Sequence, residues 1–222
     1  IMPKNPIYEN RKPVITIRGL KKTFGQNAVL NGFDMDLYEG ETLVIMGKSG
    51  SGKSVMIKCL IGLETHDAGT INIMGRDMEN VSEDELRDIR TEVGFLFQGS
   101  ALYDSMTVRE NLEFPLRRHK RKFGGISDTT PMVIEVLESV GLAHAIDLMP
   151  EELSGGMKRR IALARTLILR PRIILYDEPT TGLDPIVSDS IDQLILRVRD
   201  RLSVTTVVVT HDMRSTRRLG QR

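Results

Sequence analysis

The chain has 222 residues, 40% hydrophobic and 27% charged, the ordinary balance of a folded domain and enough for one substantial core. Its 31 basic and 30 acidic residues leave a net charge of +1, so no overall field argues for nucleic acid, which is not expected among its partners. The single Cys59 excludes an internal disulfide framework and suits a reducing compartment, no apolar run approaches the length of a membrane span, and no signal-peptide pattern opens the chain.

Residues 1–13, with three prolines, read as an irregular lead-in, and the start at Ile1 and stop at Arg222 suggest a chain shortened at one or both ends. Val14-Ile-Thr-Ile-Arg18 is the first expected strand. Leu20 to Phe24 and a turn at Gly25 precede Phe33-Asp-Met-Asp-Leu-Tyr38, whose alternation suits a half-buried strand; together these predict a short antiparallel layer. By spacing alone Phe24 reads as a core residue, although a flat aromatic beside a nucleotide pocket can stack on a base. The apolar run Leu43-Val-Ile-Met46 then leads into Gly47-Lys48-Ser49-Gly50-Ser51-Gly52-Lys53-Ser54, which fits G-x-x-x-x-G-K-[ST] at every fixed position, and an amphipathic segment, Val55 to Leu63, follows. Successive N–H groups of such a loop point inward at phosphate oxygens, with the positive end of the next helix behind them. Lys53 would reach the β- and γ-phosphates, and the Ser54 hydroxyl would ligate Mg²⁺.

Thr70 to Met74 alternates as a strand, and Ser82-Glu-Asp-Glu85 is a capping box that opens a polar helix to about Arg90. Val93 to Phe97 reads as a buried strand ending at Gln98, whose amide could touch a metal or an attacking water but which by position alone is a loop residue. From Gly99 to about Leu153 the pattern predicts a helical insertion. A second capping box, Thr107-Val-Arg-Glu110, starts a helix that should stop near Pro115; Arg117 to Lys122 is a basic, breaker-rich loop, better suited to solvent than to lipid headgroups; and Pro131 opens a helix through Val140. Ser154 is a good N-cap, and Gly155 and Gly156 leave first-turn N–H groups uncovered ahead of the helical Ile161 to Leu169. That makes either a second anion-binding helix terminus or a capped helix with glycines for close packing.

Ile173-Ile-Leu-Tyr-Asp177 is a buried strand ending in an acid, with Glu178 next, and two adjacent carboxylates there need a metal or a proton to balance them. Asp177 stands where a phosphate-loop enzyme places its second Mg²⁺ anchor, and Glu178 can reach a water lined up on the γ-phosphate. After a turn at Thr181-Gly-Leu-Asp184, Ile186 to about Leu202 is helical, and Val204 to Thr210 is a β-branched strand ending at His211. Ligands of an open α/β sheet bind at the carboxyl ends of its strands, so Gln98, Asp177, Glu178 and His211 should converge on the phosphate loop.

The phosphate loop, Gln98, Leu153-Ser-Gly-Gly156, Ile173 to Glu178, Gly182-Leu-Asp184 and His211, in that order, resemble the nucleotide-binding subunits of ABC transporters, over Val14 to Asp212. The resemblance implies an α/β phosphate-loop NTPase core with an N-terminal antiparallel β layer and an inserted helical subdomain. It implies one ATP-binding domain over 1–222, divided at 14–98, 99–169 and 170–222, with ATP and Mg²⁺ as cofactors. It assigns Phe24 to adenine stacking, Glu178 to the general base, His211 to sensing the γ-phosphate, and Gln98 to sensing Mg²⁺ and a membrane permease. Ser154, Gly155 and Gly156 would close on ATP held by a second copy, head to tail, with Asp184 in the loop crossing between copies. A finer likeness lies in Phe95 to Leu102, Phe114-Pro-Leu116, Met149-Pro150 and Met157, where the commonest signature has Gln. These resemble the ATPases of MCE-type phospholipid transport systems, which implies an MCE-domain partner and a place on the cytoplasmic face of the inner membrane, held there by the permease. The span from the phosphate loop to Asp177 has no room for the coiled-coil insertion of relatives that act on DNA.

Overall fold

The computed structural model describes residues 12–220, without the side chains of Lys120 and Arg121, so most of the expected lead-in lies outside the described residues. Strands β1 (Pro13–Phe24) and β2 (Asn27–Tyr38) form a long antiparallel hairpin. β4 (Ala68–Ile73) and β5 (Arg76–Asp77) complete that sheet in the order β2-β1-β4-β5. Both hairpin strands exceed expectation. β1 continues through Gly19 because the register shifts there, and the glycine takes a left-handed φ of 59° that a side chain would resist.

A second sheet holds β3 (Thr42–Met46), β6 (Val93–Leu96), β7 (Ile173–Asp177) and β8 (Thr205–Thr210), all parallel, in the order β3-β8-β7-β6. It is the middle layer. Leu175, Val207 and Val209 face the antiparallel sheet and α1 (Lys53–Leu60), where they meet Ile15, Ile17, Met56 and Leu60. Ile174, Tyr176 and Val208 face the opposite way. There they pack with α3 (Val108–Arg118), α5 (Thr130–Ser139), α6 (Gly155–Leu167) and α7 (Pro185–Leu202). Burial on both faces is why β7 and β8 read as unbroken apolar runs rather than alternating ones.

Both capping boxes form. Ser82 and Glu85 exchange bonds at the start of α2 (Glu83–Glu92), and Thr107 and Glu110 do so at the start of α3. α3 does not stop at Pro115. The buried stripe Val108, Leu112 and Leu116 continues across it, and that burial offsets the cost of a mid-helix proline, about 3 kcal/mol. Buried Asn111 adds a further anchor, its side chain bonding Tyr103 N–H and the carbonyls of Tyr103, Met106 and Thr107. The basic run is therefore not a loop: Arg117 and Arg118 end α3, and α4 (Lys120–Phe123) takes up the chain at once. A last helix, α8 (Met213–Leu219), follows β8 where no helix was expected.

β6 and α6 approach so closely that only glycine fits at position 94. A Cβ there would sit 2.5 Å from Thr166 Cγ2 and 3.1 Å from Pro171 Cγ. Gly94→Leu is expected to destabilise the chain by about 1–3 kcal/mol or more through overpacking, read as a lower midpoint in urea denaturation; an unchanged midpoint would contradict the packing described.

Candidate nucleotide site

The site is built where the parallel strands end. β3 stops at Met46, and residues 47–52 curl into a loop before Lys53 begins α1. Gly50 and Gly52 take left-handed φ values of 78° and 89°. A Cβ on Gly47 would lie 2.7 Å from Ser51 Oγ, and one on Gly52 2.7 Å from the Val29 carbonyl, so the curl depends on bare backbone. Gly52 caps α1 with no side-chain hydrogen bond, which leaves the first-turn N–H groups aimed at the loop. Lys53 is buried; its Nζ donates to the carbonyls of Gly47 (2.7 Å) and Lys48 (3.0 Å) and lies 3.4 Å from Glu178 Oε1.

β7 delivers two carboxylates with different environments. Asp177 Oδ1 accepts a 2.8 Å hydrogen bond from Ser54 Oγ. Burial pushes the Asp177 carboxyl above its ordinary pKa, and the adjacent Glu178 charge adds to this against the Ser54 bond. Burial also works to raise Glu178, but bonds from His211 and Thr181 outweigh it and hold Glu178 below the ordinary range. The contacts are specific. Glu178 Oε2 lies 2.8 Å from His211 Nδ1, a hydrogen bond when that nitrogen carries the proton, and accepts from His211 N–H at 3.3 Å and from Thr181 Oγ1 at 3.1 Å. Glu178 itself holds a left-handed φ of 50°, a strained conformation for a residue with a Cβ. Its N–H donates to the Val209 carbonyl of β8 at 2.9 Å, which helps to impose the turn.

Phe24, loop residues Ser49 to Ser54, Gln98, Glu178 and His211 line one cavity of about 390 Å³. A larger cavity of about 860 Å³ opens between α5, α6 and α7 and contains none of the expected site residues. Convergent polar groups and strained backbone make the smaller one the candidate site. Phe24 is 45% exposed, so it is not a core residue; its ring carries the Lys22 ammonium 4.9 Å from its centroid.

Ser154, Gly155, Gly156 and Asp184 lie outside this cavity. Ser154 caps α6 by accepting from Met157 N–H at 3.2 Å, and a Cβ on Gly156 would meet Val187 Cγ1 at 2.7 Å, so α6 packs tightly on the start of α7. Asp184 is exposed and caps α7, accepting from the N–H groups of Ile186 and Val187, each at 3.0 Å. Within one chain these four residues do not meet the phosphate loop.

Two site residues were missed in the sequence. Thr181 orients Glu178 from three positions on, a spacing that a turn-centred search could have flagged. Buried Arg159 donates to the Phe97 carbonyl at 2.8 Å and the Thr181 carbonyl at 3.5 Å, tying α6 to the strand exits on either side of the cavity. Nothing local in a run of basic residues marks it as the buried one.

A phosphate-binding loop at the carboxyl edge of a parallel sheet, with paired carboxylates and a histidine facing it, defines a phosphate-loop nucleotide-binding protein. The family model described as ABC transporter matches residues 30–181. The methionine import ATP-binding protein MetN of Clostridium tetani is 40% identical over 90% of this chain and 62% of its own. The probable ribonucleotide transport ATP-binding protein mkl of Mycobacterium leprae is 43% identical over 90% of this chain and 57% of its own. The chain thus spans about three fifths of the length of these curated relatives. The dimeric ATP-binding cassette MJ0796, in a post-hydrolysis state bound to ADP and Pi, superposes with a TM-score of 0.81 at 33% identity, over 92% of this chain and 90% of that one. The chain belongs to the ABC transporter family, as its ATPase domain.

Proposed function

We propose that this chain binds ATP with Mg²⁺, hydrolyses it in a head-to-tail dimer of two copies, and thereby powers phospholipid transport through a membrane permease with an MCE-domain partner. The observation that carries the hydrolytic part is the convergence of Lys53, Ser54, Glu178 and His211 on one cavity that also holds Phe24 and Gln98, with Asp177 bonded to Ser54 behind its wall. Mg²⁺ would be held by Ser54 and Asp177, with Gln98 at the wall, and would neutralise phosphate charge. The fit is good: the two groups already lie 2.8 Å apart, and among the described residues no cage of three or more His, Cys, Asp or Glu forms, as suits a hard cation that takes its remaining oxygens from phosphates and water. Lys53 binds the terminal phosphates, and the N–H groups of the loop and of the first turn of α1 cradle them. Glu178, held ionised by His211 and Thr181, takes the proton of the attacking water, and His211 stays oriented by the same bond.

The exposed Ser154, Gly155 and Asp184, with the half-buried Gly156 beside them, support the dimer. An anion-binding helix terminus that turns away from its own loop can serve a second copy's nucleotide. Among the described residues no helix is long and apolar enough to cross a membrane, so attachment at the cytoplasmic face of the inner membrane would come through the permease. The lipid reading rests on the likeness of Phe95 to Leu102, Phe114 to Leu116, Met149-Pro150 and Met157 to MCE-system ATPases. A small-solute importer is the second reading, favoured by the 40% identity to a methionine import ATP-binding protein. Purification of the full-length protein from membranes in mild detergent, followed by mass spectrometry of bound proteins and lipids, decides between them. Recovery of a permease with an MCE-domain protein and enriched phospholipid is expected; a solute-import permease without lipid enrichment would overturn the lipid reading.

A further inference from the structure

One carboxylate outside the cavity is almost completely buried. Asp192, on α7, is 2% exposed. Its Oδ2 accepts a 2.8 Å hydrogen bond from Ser215 Oγ of α8, and its Oδ1 has no hydrogen-bond partner among the described residues. The nearest cation, Arg218 Nη1 on α8, stands 3.8 Å away and pairs closely with Asp189 instead. An apolar residue of similar volume would pack α7 against α8 without burying a charge, so core packing alone does not account for an acid here.

What the acid touches leads back to the reaction. Ser215 Oγ also lies 3.4 Å from Thr180 Oγ1 and 3.4 Å from Asp212 Oδ2. Thr180 is buried and comes two residues after Glu178; Asp212 follows His211 directly and caps α8 by accepting from Arg214 N–H at 2.8 Å. A hydroxyl has one proton to give, and the shorter contact directs the proton of Ser215 to Asp192. Thr180 then donates to Ser215, so the chain Thr180 to Ser215 to Asp192 is polarised toward a buried acceptor. The loop after β7 and the loop after β8 are thus fastened at one point beneath the site, while Glu178 and His211 bond each other above it.

We propose that Asp192 is a positioning residue for hydrolysis: acting through Ser215, it holds the Glu178 loop in register with the His211 loop. This rests on the roles proposed above for those two residues. Burial pushes the Asp192 carboxyl up to about 6, which still leaves it an anionic acceptor at the pH of a standard ATPase assay.

The test is steady-state ATP hydrolysis by the full-length protein in its assembled complex. Asp192→Ala is expected to lower kcat about tenfold, the scale of one lost buried hydrogen bond, with KM for ATP within about twofold of wild type. Asp192→Asn, which keeps an acceptor for Ser215, should restore most of the rate, and Ser215→Ala should reproduce the Ala effect and substitutes for it if Asp192→Ala fails to accumulate. An unchanged kcat in the Ala variants, or an Asn variant as slow as Ala, overturns the proposal. Glu178→Gln run alongside separates the layers: normal turnover there removes the reading beneath, whereas lost turnover there with undisturbed Ala variants removes this inference alone.

Discussion

Glu178→Gln is expected to reduce ATP turnover by a factor on the order of 10²–10⁴ or more while leaving ATP-driven dimerisation intact. The substitution is nearly isosteric, so the amide oxygen can still accept from Thr181 Oγ1 and from the His211 N–H, and the strained turn at φ 50° need not relax. What it removes is basicity. The present carboxylate is held ionised by His211 and Thr181 against the pull of burial, so it is ready to take a proton at neutral pH. Nucleotide binding should persist, because Lys53, the loop N–H groups and Phe24 are untouched. Size-exclusion chromatography with ATP, beside a phosphate-release assay, reads both halves of the expectation. Near-normal phosphate release would take the general-base role away from Glu178.

The second large effect is on stability. Asp192→Asn should alter the pH dependence of unfolding by about 3 kcal/mol between acid and neutral solution, because burial raises that carboxyl from an ordinary 3.8 to about 6. Ser215 and Arg218 oppose the rise, and Asp212 and Asp189 add to it. Between about pH 4 and pH 6 the native state keeps a proton that the unfolded chain has released. Wild-type stability therefore falls as pH rises through that window, and above pH 6 the full cost of the buried anion is present. Below pH 4 the acid is neutral in both states and costs nothing of this kind. The Asn variant lacks the titration, so relative to wild type it should gain stability from pH 4 to pH 7. Urea denaturation of both proteins at the two ends of that range tests this, and a difference between them that does not change with pH would refute it.

Much of the site was legible because its signals are local. The phosphate loop needs eight consecutive residues, each capping box needs four, and Asp177 announces itself as an acid ending an apolar strand, whereas Gln98 and His211, ordinary taken singly, stand out only as the ends of strands in one open sheet. What escaped depends on distance. β1 looked broken at Gly19 because a bulge interrupts its alternation, and α3 looked finished at Pro115 because local propensity says nothing of the stripe that Leu112 and Leu116 bury. α8 is short and rich in arginine, so it has almost no periodicity to read. Asp192 was hidden for the converse reason: on an amphipathic helix an acid reads as solvent-facing, and only the docking of α8 makes it interior.

The middle sheet has a consequence for how the site can move. Glu178 and His211 hang from β7 and β8, both paired on each side within the sheet and covered on both faces, so the amides of these strands are expected to exchange among the slowest in the domain. Local breathing is confined to the rim. Any change of shape that accompanies a turnover cycle must then come from elements that swing against this fixed frame, such as the helices α3 to α5, while the carboxylates and the histidine keep still. In mechanical terms the groups proposed to react are mounted on the anvil, and the parts free to travel are the helices that follow the exit from Gln98.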